Sequence, residues 1–436
     1  PIIPKMDKVG FSSVEVWGGA TYDCCLRYLN ENPWDRLKLF KKSFKNTKLQ
    51  MLLRGQNIVG YKKFDDSVVS LFIKNAAKSG IDIFRTFDSL NDISNIESSI
   101  RFINANNKHS QGTIAYTTSP IHNNKYWLKL AKNIEDIGAS SVAIKDMSGL
   151  LRPYEAFDLI TLLKKNLKIP IYLHTHATTG LSDATNLKAF EAGVDNIDTS
   201  ISSFSGTYGH TATESFISMI YKDSKNPYDM KLLNEISEYF ANIRVKYADH
   251  EGSLKGIDTK MLTNQVPGGM LSNFESQLRD LGMEEKLSDL INEIPKIRKD
   301  LGYIPLVTPS SQIVGTQALL NIRNSKRYES LTNEMVDLIN GKYGKIKGKI
   351  NKELKELVKT NYPSKKDKDL LTVTEHKKNF KQKCIDYELD DLYKNDKHLL
   401  NYILFPEVSI DYYCELKRSS EDFMIDLQQG LGIIID

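Results

Sequence analysis

Two histidines separated by one residue are the most chemically specific feature of the sequence. His174 and His176 end an apolar run that begins at Pro170. Residues i and i+2 of an extended strand face the same side, so both imidazoles can reach one metal ion. Two satisfied polar histidines are the structural alternative. Lys145 and Asp146 end another apolar run and could supply a further ligand. Asp146 would ligate directly and Lys145 only as a carbamate formed with CO2, and spacing alone leaves both open.

Polar groups follow other apolar runs in the same way. Arg54 comes directly after such a run, where a guanidinium is costly unless it is paired. It can bind a carboxylate ligand through two hydrogen bonds, or form an ion pair with Asp23 or Asp88. Further along, Pro267–Gly269 followed by Ser272 has the composition of a loop that brings backbone close to a ligand, although a plain turn has it too.

The elements that position these groups are short β-rich runs, one about every 30 residues, which is the length of a βα unit. Helix-period segments separate them, and Gly80, Gly138 and Gly193 precede the next strand where a helix C-cap belongs. The predicted strands are Val14–Trp17, Leu49–Leu53, Asp82–Phe87, Thr113–Thr117, Ser141–Ile144, Pro170–His174 and Asn196–Ile201.

Seven parallel strands are one short of the usual closed barrel. Ile2–Lys8 has the pattern of a helix end that leads into the first predicted strand. We therefore predict a (β/α)8 TIM barrel over residues 1–250, whose first strand is missing from the given chain. An open doubly wound sheet is the alternative, disfavoured because no Gly-rich nucleotide turn follows an early strand.

Helices are predicted beyond the seventh strand, first at Thr211–Tyr221 and Lys231–Tyr247. Residues 251–436 form a mainly helical C-terminal domain in this interpretation. It contains a Gly-rich loop at Val266–Asn273, a Lys-rich solvated connector at Gly341–Lys368 and a folded tail from Thr372.

Composition excludes several classes of protein. The 436 residues, 40% of them hydrophobic, allow two to four domains or one large barrel with an appendage. A net charge of +4 does not indicate a nucleic-acid binder, and no apolar run approaches the length of a bilayer span. The four cysteines lack CxxC spacing, which favours free thiols in a reducing cytoplasm.

Long ordered motifs resemble the carboxyltransferase component of biotin-dependent enzymes that act on pyruvate and oxaloacetate. This family includes the oxaloacetate decarboxylase alpha subunit, the pyruvate carboxylase carboxyltransferase domain or B subunit, and the transcarboxylase large subunit. The resemblance implies a (β/α)8 barrel with a helical extension that completes the active-site mouth. The motifs are Glu15–Asp23, Gln50–Asn57, Ile83–Asp88, Ala143–Leu150, Leu173–Gly180, Gln265–Met270 and Leu399–Pro406.

The resemblance also implies a role for each candidate residue. Lys145, carbamylated, would join His174 and His176 as ligands of a divalent metal, namely Zn, Co or Mn. The biotin pocket would be shaped by Arg54, with Asp23 and Tyr61, and Gly19 would line the substrate site. Ser272 stands where the family often has a Thr that moves a proton between biotin and pyruvate. The catalytic residues implied are thus Ser272, Lys145 and Arg54.

Two features of the family are missing from the sequence. One is the Arg-Asp-x-x-Gln motif of the first strand, which supplies a metal-binding Asp. The other is the biotinyl domain with its Met-Lys-Met signature, so biotin would arrive on a separate domain or subunit.

The form of His174–Gly180 and of Ser205–Gly209 resembles the oxaloacetate decarboxylase alpha subunit most. That assignment implies a lyase coupled to sodium transport, with membrane sodium-pump subunits as partners. The enzymatic alternatives are the B subunit of pyruvate carboxylase, with a separate biotin carboxylase, and the transcarboxylase large subunit. A scaffold that only docks partners is disfavoured because Lys145 and both histidines are present. We expect a homo-oligomer in the cytoplasm, held at the inner membrane where partner subunits require it.

Overall fold

A parallel seven-stranded sheet forms the first half of the chain. The computed structural model describes residues 1–251, 254–266, 268–324, 326–362 and 370–431, with side chains except at 223, 268–269, 271–273 and 420–431. The strands are β1 Ser13–Trp17, β2 Lys48–Leu53, β3 Ile83–Phe87, β4 His109–Ala115, β5 Ser141–Asp146, β6 Ile171–Thr175 and β7 Asn196–Ile197. All seven predicted strands are present, although β4 begins at His109 rather than Thr113 and β7 ends at Ile197 rather than Ile201.

Helices alternate with these strands as predicted. They are α1 Ile3–Met6, α2 Gly19–Arg27, α3 Pro33–Ser43, α4 Asp66–Ser79, α5 Ser94–Ala105, α6 Asn124–Asp136, α7 Pro153–Asn166, α8 Ser182–Glu191, α9 Thr213–Ile220 and α10 Met230–Lys246. Gly80 caps α4 with a φ of +117°, a conformation that residues with a Cβ rarely adopt.

The sheet curls so that its two edge strands approach each other. The strand order is β1-β2-β3-β4-β5-β6-β7, which excludes a doubly wound sheet because that arrangement reverses direction at a switch point. Near the edges, the Ser12 hydroxyl donates to the Asn196 side-chain oxygen at 3.1 Å. A cavity of about 580 Å³ lies between β1 and β7, at the place that an eighth strand occupies in a closed barrel.

The second half is helical. Its helices are α11 Met261–Asn264, α12 Gly268–Asp280, α13 Leu287–Asp300, α14 Ser310–Arg323, α15 Asn333–Ile339, α16 Lys352–Asn361, α17 Val373–Asp386, α18 Asp396–Leu404 and α19 Pro406–Leu431. Within the described ranges, no helix combines the length and hydropathy that a bilayer span requires.

Two predictions for the helical region are wrong. The loop predicted at Val266–Asn273 is largely the start of α12, because Met270, Phe274 and Leu278 recur at helical spacing and are buried in the core of this region. The predicted connector Gly341–Lys368 contains α16, whose Leu354 and Val358 are buried in the same core.

Asn401 of α18 fastens the C-terminal helices to the barrel. Its side-chain oxygen accepts from the Tyr22 hydroxyl at 2.5 Å and from Trp34 Nε1 at 3.0 Å. Its side-chain nitrogen donates to the Tyr413 hydroxyl at 3.0 Å. All four residues are buried, so these hydrogen bonds satisfy groups that water does not reach.

We predict that Asn401→Ala destabilises the protein because it leaves the Tyr22 hydroxyl and Trp34 Nε1 unpaired. At about 1–3 kcal/mol for each of these two unsatisfied buried groups, the free energy of unfolding should fall by about 2–6 kcal/mol. Urea unfolding followed by tryptophan fluorescence measures the change. Asn361→Ala, at the exposed end of α16, is the control, and equal midpoints for the two variants would refute the role of Asn401.

Candidate functional site

The carboxyl ends of β5 and β6 bring the predicted ligands together. Lys145 and His174 are register partners on these strands, and Lys145 Nζ lies 3.0 Å from His174 Nε2. His176 follows β6, with its Nε2 atom 3.2 Å from Nε2 of His174. The two imidazoles and the amine therefore lie close together, which the spacing predicted for the two histidines and left open for Lys145.

Hydrogen bonds fix the tautomers of both imidazoles. His174 Nδ1 lies 2.7 Å from an Asp198 carboxylate oxygen, and His176 Nδ1 lies 2.7 Å from the Tyr208 carbonyl oxygen. These oxygens only accept hydrogen bonds, so each Nδ1 carries a proton and each Nε2 is left with a lone pair.

The two Nε2 atoms lie 3.2 Å apart, and without an ion Lys145 Nζ can donate a hydrogen bond to Nε2 of His174. Nitrogens bound to one metal ion at about 2.0–2.1 Å are separated by about 3.0–3.4 Å, so the observed spacing fits a divalent metal. His174 and His176 can hold such an ion.

Burial disfavours the protonated forms of the side chains in this cluster. Burial, with a contribution from Lys145, lowers the pKa of His174 well below its ordinary value, and burial followed by His210 does the same for the pKa of His176. Burial also lowers the pKa of Lys145 to about 8. A neutral amine is the form of lysine that reacts with CO2, so Lys145 is suited to carbamylation.

A buried ion pair between Arg85 and Asp198 positions His174. Arg85 of β3 is fully buried and pairs with Asp198, its Nη2 atom lying 3.1 Å from one carboxylate oxygen and Nη1 contacting the other. Arg85 Nε also donates to Gln111 at 2.5 Å. Burial opposes the ionisation of Asp198, but Arg85 and His174 outweigh it and hold the pKa of this carboxyl well below its usual range.

Asp146 is not a ligand in this arrangement. Its carboxylate accepts from the backbone N–H groups of Ser148 at 3.3 Å and Leu151 at 2.7 Å. It follows Lys145 directly on β5, so its side chain points to the opposite face of the sheet. Asp146 therefore shapes the loop after β5, and of the two predicted alternatives only Lys145 faces the histidines.

Arg54 forms a second polar pocket after β2. Its Nη1 donates to the carbonyl oxygens of Val59 and Gly60, each at 3.1 Å, and its guanidinium carbon lies 4.9 Å from the centre of the Tyr61 ring. A Cβ on Gly19 would lie 2.6 Å from Arg54 Nη2, so only glycine fits there. The structure thus groups Gly19, Arg54 and Tyr61.

The ion pairs considered for Arg54 are not formed among the described residues. Asp23 instead accepts from Arg27 Nε at 3.1 Å, although it lies close enough to Arg54 to oppose the lowering of the Arg54 pKa by burial. Asp88 accepts from the backbone of Leu90 and Asp92.

Helix α12 of the helical region borders the histidine cluster. A cavity of about 330 Å³ is lined by His176 and Tyr208 on the barrel side and by Met270 and Phe274 of α12. Ser272 lies in α12 between these two residues, and its side chain lies outside the described residues.

The sequence analysis did not identify three residues of this site, namely Arg85, Asp198 and His210. His210 lies near the other imidazoles, its ring centre 4.3 Å from that of His174 and 4.6 Å from that of His176. Arg85 within an otherwise apolar strand and an Asp just after β7 were available signals. His210 carries no spacing that links it to His174.

We predict that Asp198→Asn weakens metal binding because the amide cannot fix the tautomer of His174 as the carboxylate does. Loss of such a supporting partner lowers metal affinity by about 10–100-fold. Competition with a chromogenic zinc chelator measures the affinity. The matched control is Asp195→Asn, since Asp195 pairs with Lys164 away from the histidines. Equal affinities for the two variants would rule out this role of Asp198.

Comparison with known proteins identifies the family. The conserved carboxylase domain family (PYC_OADA) matches residues 261–429, and the HMGL-like family matches residues 79–239. The B subunit of pyruvate carboxylase from Methanocaldococcus jannaschii is 46% identical, across 100% of this chain and 76% of that protein. The methylmalonyl-CoA carboxyltransferase 5S subunit of Propionibacterium freudenreichii subsp. shermanii is 43% identical, across 93% of this chain and 80% of that protein.

Solved structures agree with these matches. The carboxyl transferase domain of Rhizobium etli pyruvate carboxylase, determined with pyruvate and biocytin, superimposes with a TM-score of 0.86 at 32% identity. The alignment covers 94% of this chain and 71% of that one. The chain therefore belongs to the biotin-dependent carboxyltransferases, a family of enzymes built on a TIM barrel with a helical C-terminal region.

Proposed function

We propose that this enzyme moves a carboxyl group between oxaloacetate or pyruvate and biotin carried on a separate domain or subunit, in the manner of a pyruvate carboxylase B subunit. The observation that carries the proposal is the 46% identity to such a protein along the whole chain. A separate biotin carboxylase subunit would then be the partner.

The oxaloacetate decarboxylase alpha subunit remains the second candidate. The motifs His174–Gly180 and Ser205–Gly209 favour it. The relatives named above instead favour the carboxylase and transcarboxylase types, and nothing among them supports sodium-pump partners. The same chemistry serves all three, because decarboxylation of oxaloacetate is pyruvate carboxylation run backwards.

The proposed metal site consists of His174, His176 and carbamylated Lys145. A divalent metal there would act as a Lewis acid toward the oxyanion that develops on the substrate. The Nδ1 hydrogen bonds aim both imidazoles at one point before any ion arrives, which lowers the reorganisation that binding requires. The lowered pKa of Lys145 supports its reaction with CO2.

Arg54 is proposed to hold and polarise the ureido group of biotin. Its Nη1 atom donates to two carbonyl oxygens, which fixes the guanidinium beside Gly19 and Tyr61. Gly19 leaves the space beside Nη2 open, and Tyr61 covers the guanidinium plane. Asp23 would complete this pocket.

Ser272 is proposed to move the proton. When oxaloacetate loses its carboxyl group to biotin, a carbon–carbon bond breaks and pyruvate enolate remains. The enolate carbon gains a proton, and the ureido nitrogen that accepts the carboxyl group loses one. A hydroxyl both donates and accepts, so it can relay this proton without storing charge.

Lys145→Arg tests the proposed function. Arginine keeps the positive charge but cannot form a carbamate, so pyruvate release from oxaloacetate in the presence of biotin should be abolished. Coupling to lactate dehydrogenase measures the release. Lys164→Arg, at an exposed ion pair, should retain wild-type turnover. Near-normal turnover of Lys145→Arg would exclude its role as ligand, and an inactive wild-type chain would count against the function itself.

Ser272→Ala should lower turnover by about 10²–10⁴-fold, the usual contribution of a general acid–base step. Ser272→Thr keeps the hydroxyl and should be nearly neutral. Metal content and circular dichroism should be unchanged in both variants. An alanine variant that decarboxylates oxaloacetate at the wild-type rate would show that the proton travels by another route.

A further inference from the structure

The loop that carries Arg54 rests on the first turn of helix α5. Gly55 follows Arg54 directly and has a φ of +46°, a conformation that favours glycine. A Cβ on Gly55 would lie 2.5 Å from the carbonyl oxygen of Asn95 and 3.2 Å from Ile96 Cγ2. Because the loop and the helix are in such close contact, a displacement of Asn95 also displaces the backbone beside Arg54.

The same turn of α5 is bound by the helical region, through residues 343–345, which we call the docking turn. Asn95 Nδ2 donates to the Tyr343 carbonyl oxygen at 2.8 Å. Asp92, in the loop that precedes α5, accepts from Lys345 N at 2.7 Å. Two hydrogen bonds between residues about 250 positions apart in the sequence thus join the docking turn to the start of α5.

Asn95 is enclosed from several sides. Gly344 of the docking turn has a φ of +123°, and a Cβ there would lie 2.6 Å from Asn95 Nδ2 and 3.1 Å from an Asp92 carboxylate oxygen. Only a residue without a Cβ lets the docking turn approach α5 this closely. Asn95 Nδ2 also donates at 3.0 Å to the carboxylate of Asp88, which follows β3 directly. The docking turn, the end of β3 and the loop of Arg54 therefore all meet at Asn95.

We propose that Asn95 is a positioning residue for Arg54, through which the docking turn of the helical region sets the affinity of the barrel for biotin. The inference rests on the proposed function, because it assumes that Arg54 holds the ureido group of biotin. Asn95 meets the loop at Gly55, so it acts by placing the backbone of Arg54 and not by touching biotin. A guanidinium binds through N–H groups of fixed direction, and a misplacement of about 1 Å can cost about 10²-fold in rate.

Steady-state kinetics of oxaloacetate decarboxylation, with free biotin and oxaloacetate varied in turn, tests the proposal. Asn95→Ala removes the bonds to the docking turn and to Asp88, and should raise the KM for biotin by about tenfold or more. The KM for oxaloacetate and the affinity for zinc should be unchanged, since the proposed metal ligands come from β5 and β6. Asn104→Ala is the matched control, because Asn104 lies near the other end of α5 and donates to the Gly138 carbonyl oxygen.

Gly344→Ala tests the same coupling from the helical region, and it gives a second reading if Asn95→Ala folds poorly. Its Cβ would press on Asn95, so this variant should show the same selective rise in the KM for biotin. Gly341→Ala is its control. Gly341 has a φ of +84°, so alanine is strained there as well, but the nearest atom to its Cβ would be the Gly344 carbonyl oxygen at 3.9 Å.

Repeating the measurement in an Arg54→Ala background separates this proposal from the proposed function. If Asn95 acts through Arg54, Asn95→Ala should cause no further rise in the KM for biotin once Arg54 is replaced. An equal rise in both backgrounds would overturn the proposal, and so would an unchanged KM for biotin in both Asn95→Ala and Gly344→Ala. A loss that affects biotin and oxaloacetate equally would also overturn it, because it indicates a purely structural role. Wild-type biotin kinetics in Arg54→Ala itself would instead refute the role of Arg54 in the proposed function.

Discussion

The ion pair between Arg85 and Asp198 is the interaction on which the arrangement of the site depends. A fully buried guanidinium is tolerated only when its charge is compensated and its N–H groups are bonded, and here the compensation comes from the residue that follows β7. Asp198 uses the same carboxylate to fix His174. One carboxylate thus compensates the buried guanidinium of Arg85 and sets the tautomer of His174, the proposed metal ligand, so the fold and the proposed chemistry share a single constraint.

The parallel curled sheet makes this sharing possible. Arg85, Lys145, His174 and Asp198 come from β3, β5, β6 and the end of β7, and only a sheet whose strands run in one direction brings their polar ends to one face. Successive side chains of a strand also point to opposite faces. Lys145 therefore faces the histidines, while its neighbour Asp146 faces the loop that follows β5. Position along the strand, rather than residue type alone, decides which carboxylate or amine faces the histidines.

This explains how far the sequence could be interpreted without a structure. Strand positions, the alternating helices and the pair of His174 and His176 follow from local periodicity, which a sequence displays directly. Arg85, Asp198 and His210 meet their partners across strands and loops far apart in the chain, and no local pattern encodes those meetings. The loop predicted at the start of α12 was wrong for a different reason. Its two glycines suggested a loop, whereas the helical spacing of Met270, Phe274 and Leu278 begins only after them.

The motif that starts at Gln265 also depends on contacts between residues that are far apart in the sequence. Gln265 ends α11 with a φ of +58°, and its amide donates to the Thr118 hydroxyl beyond β4 at 2.9 Å. Arg298 of α13 binds the neighbouring Thr117 hydroxyl at 2.9 Å. These bonds seat the helical domain on the carboxyl ends of the strands, where α12 meets the cavity beside His176. A sequence that suggests a ligand-binding loop therefore has an architectural function as well, since it determines where Ser272 lies relative to the proposed metal ligands.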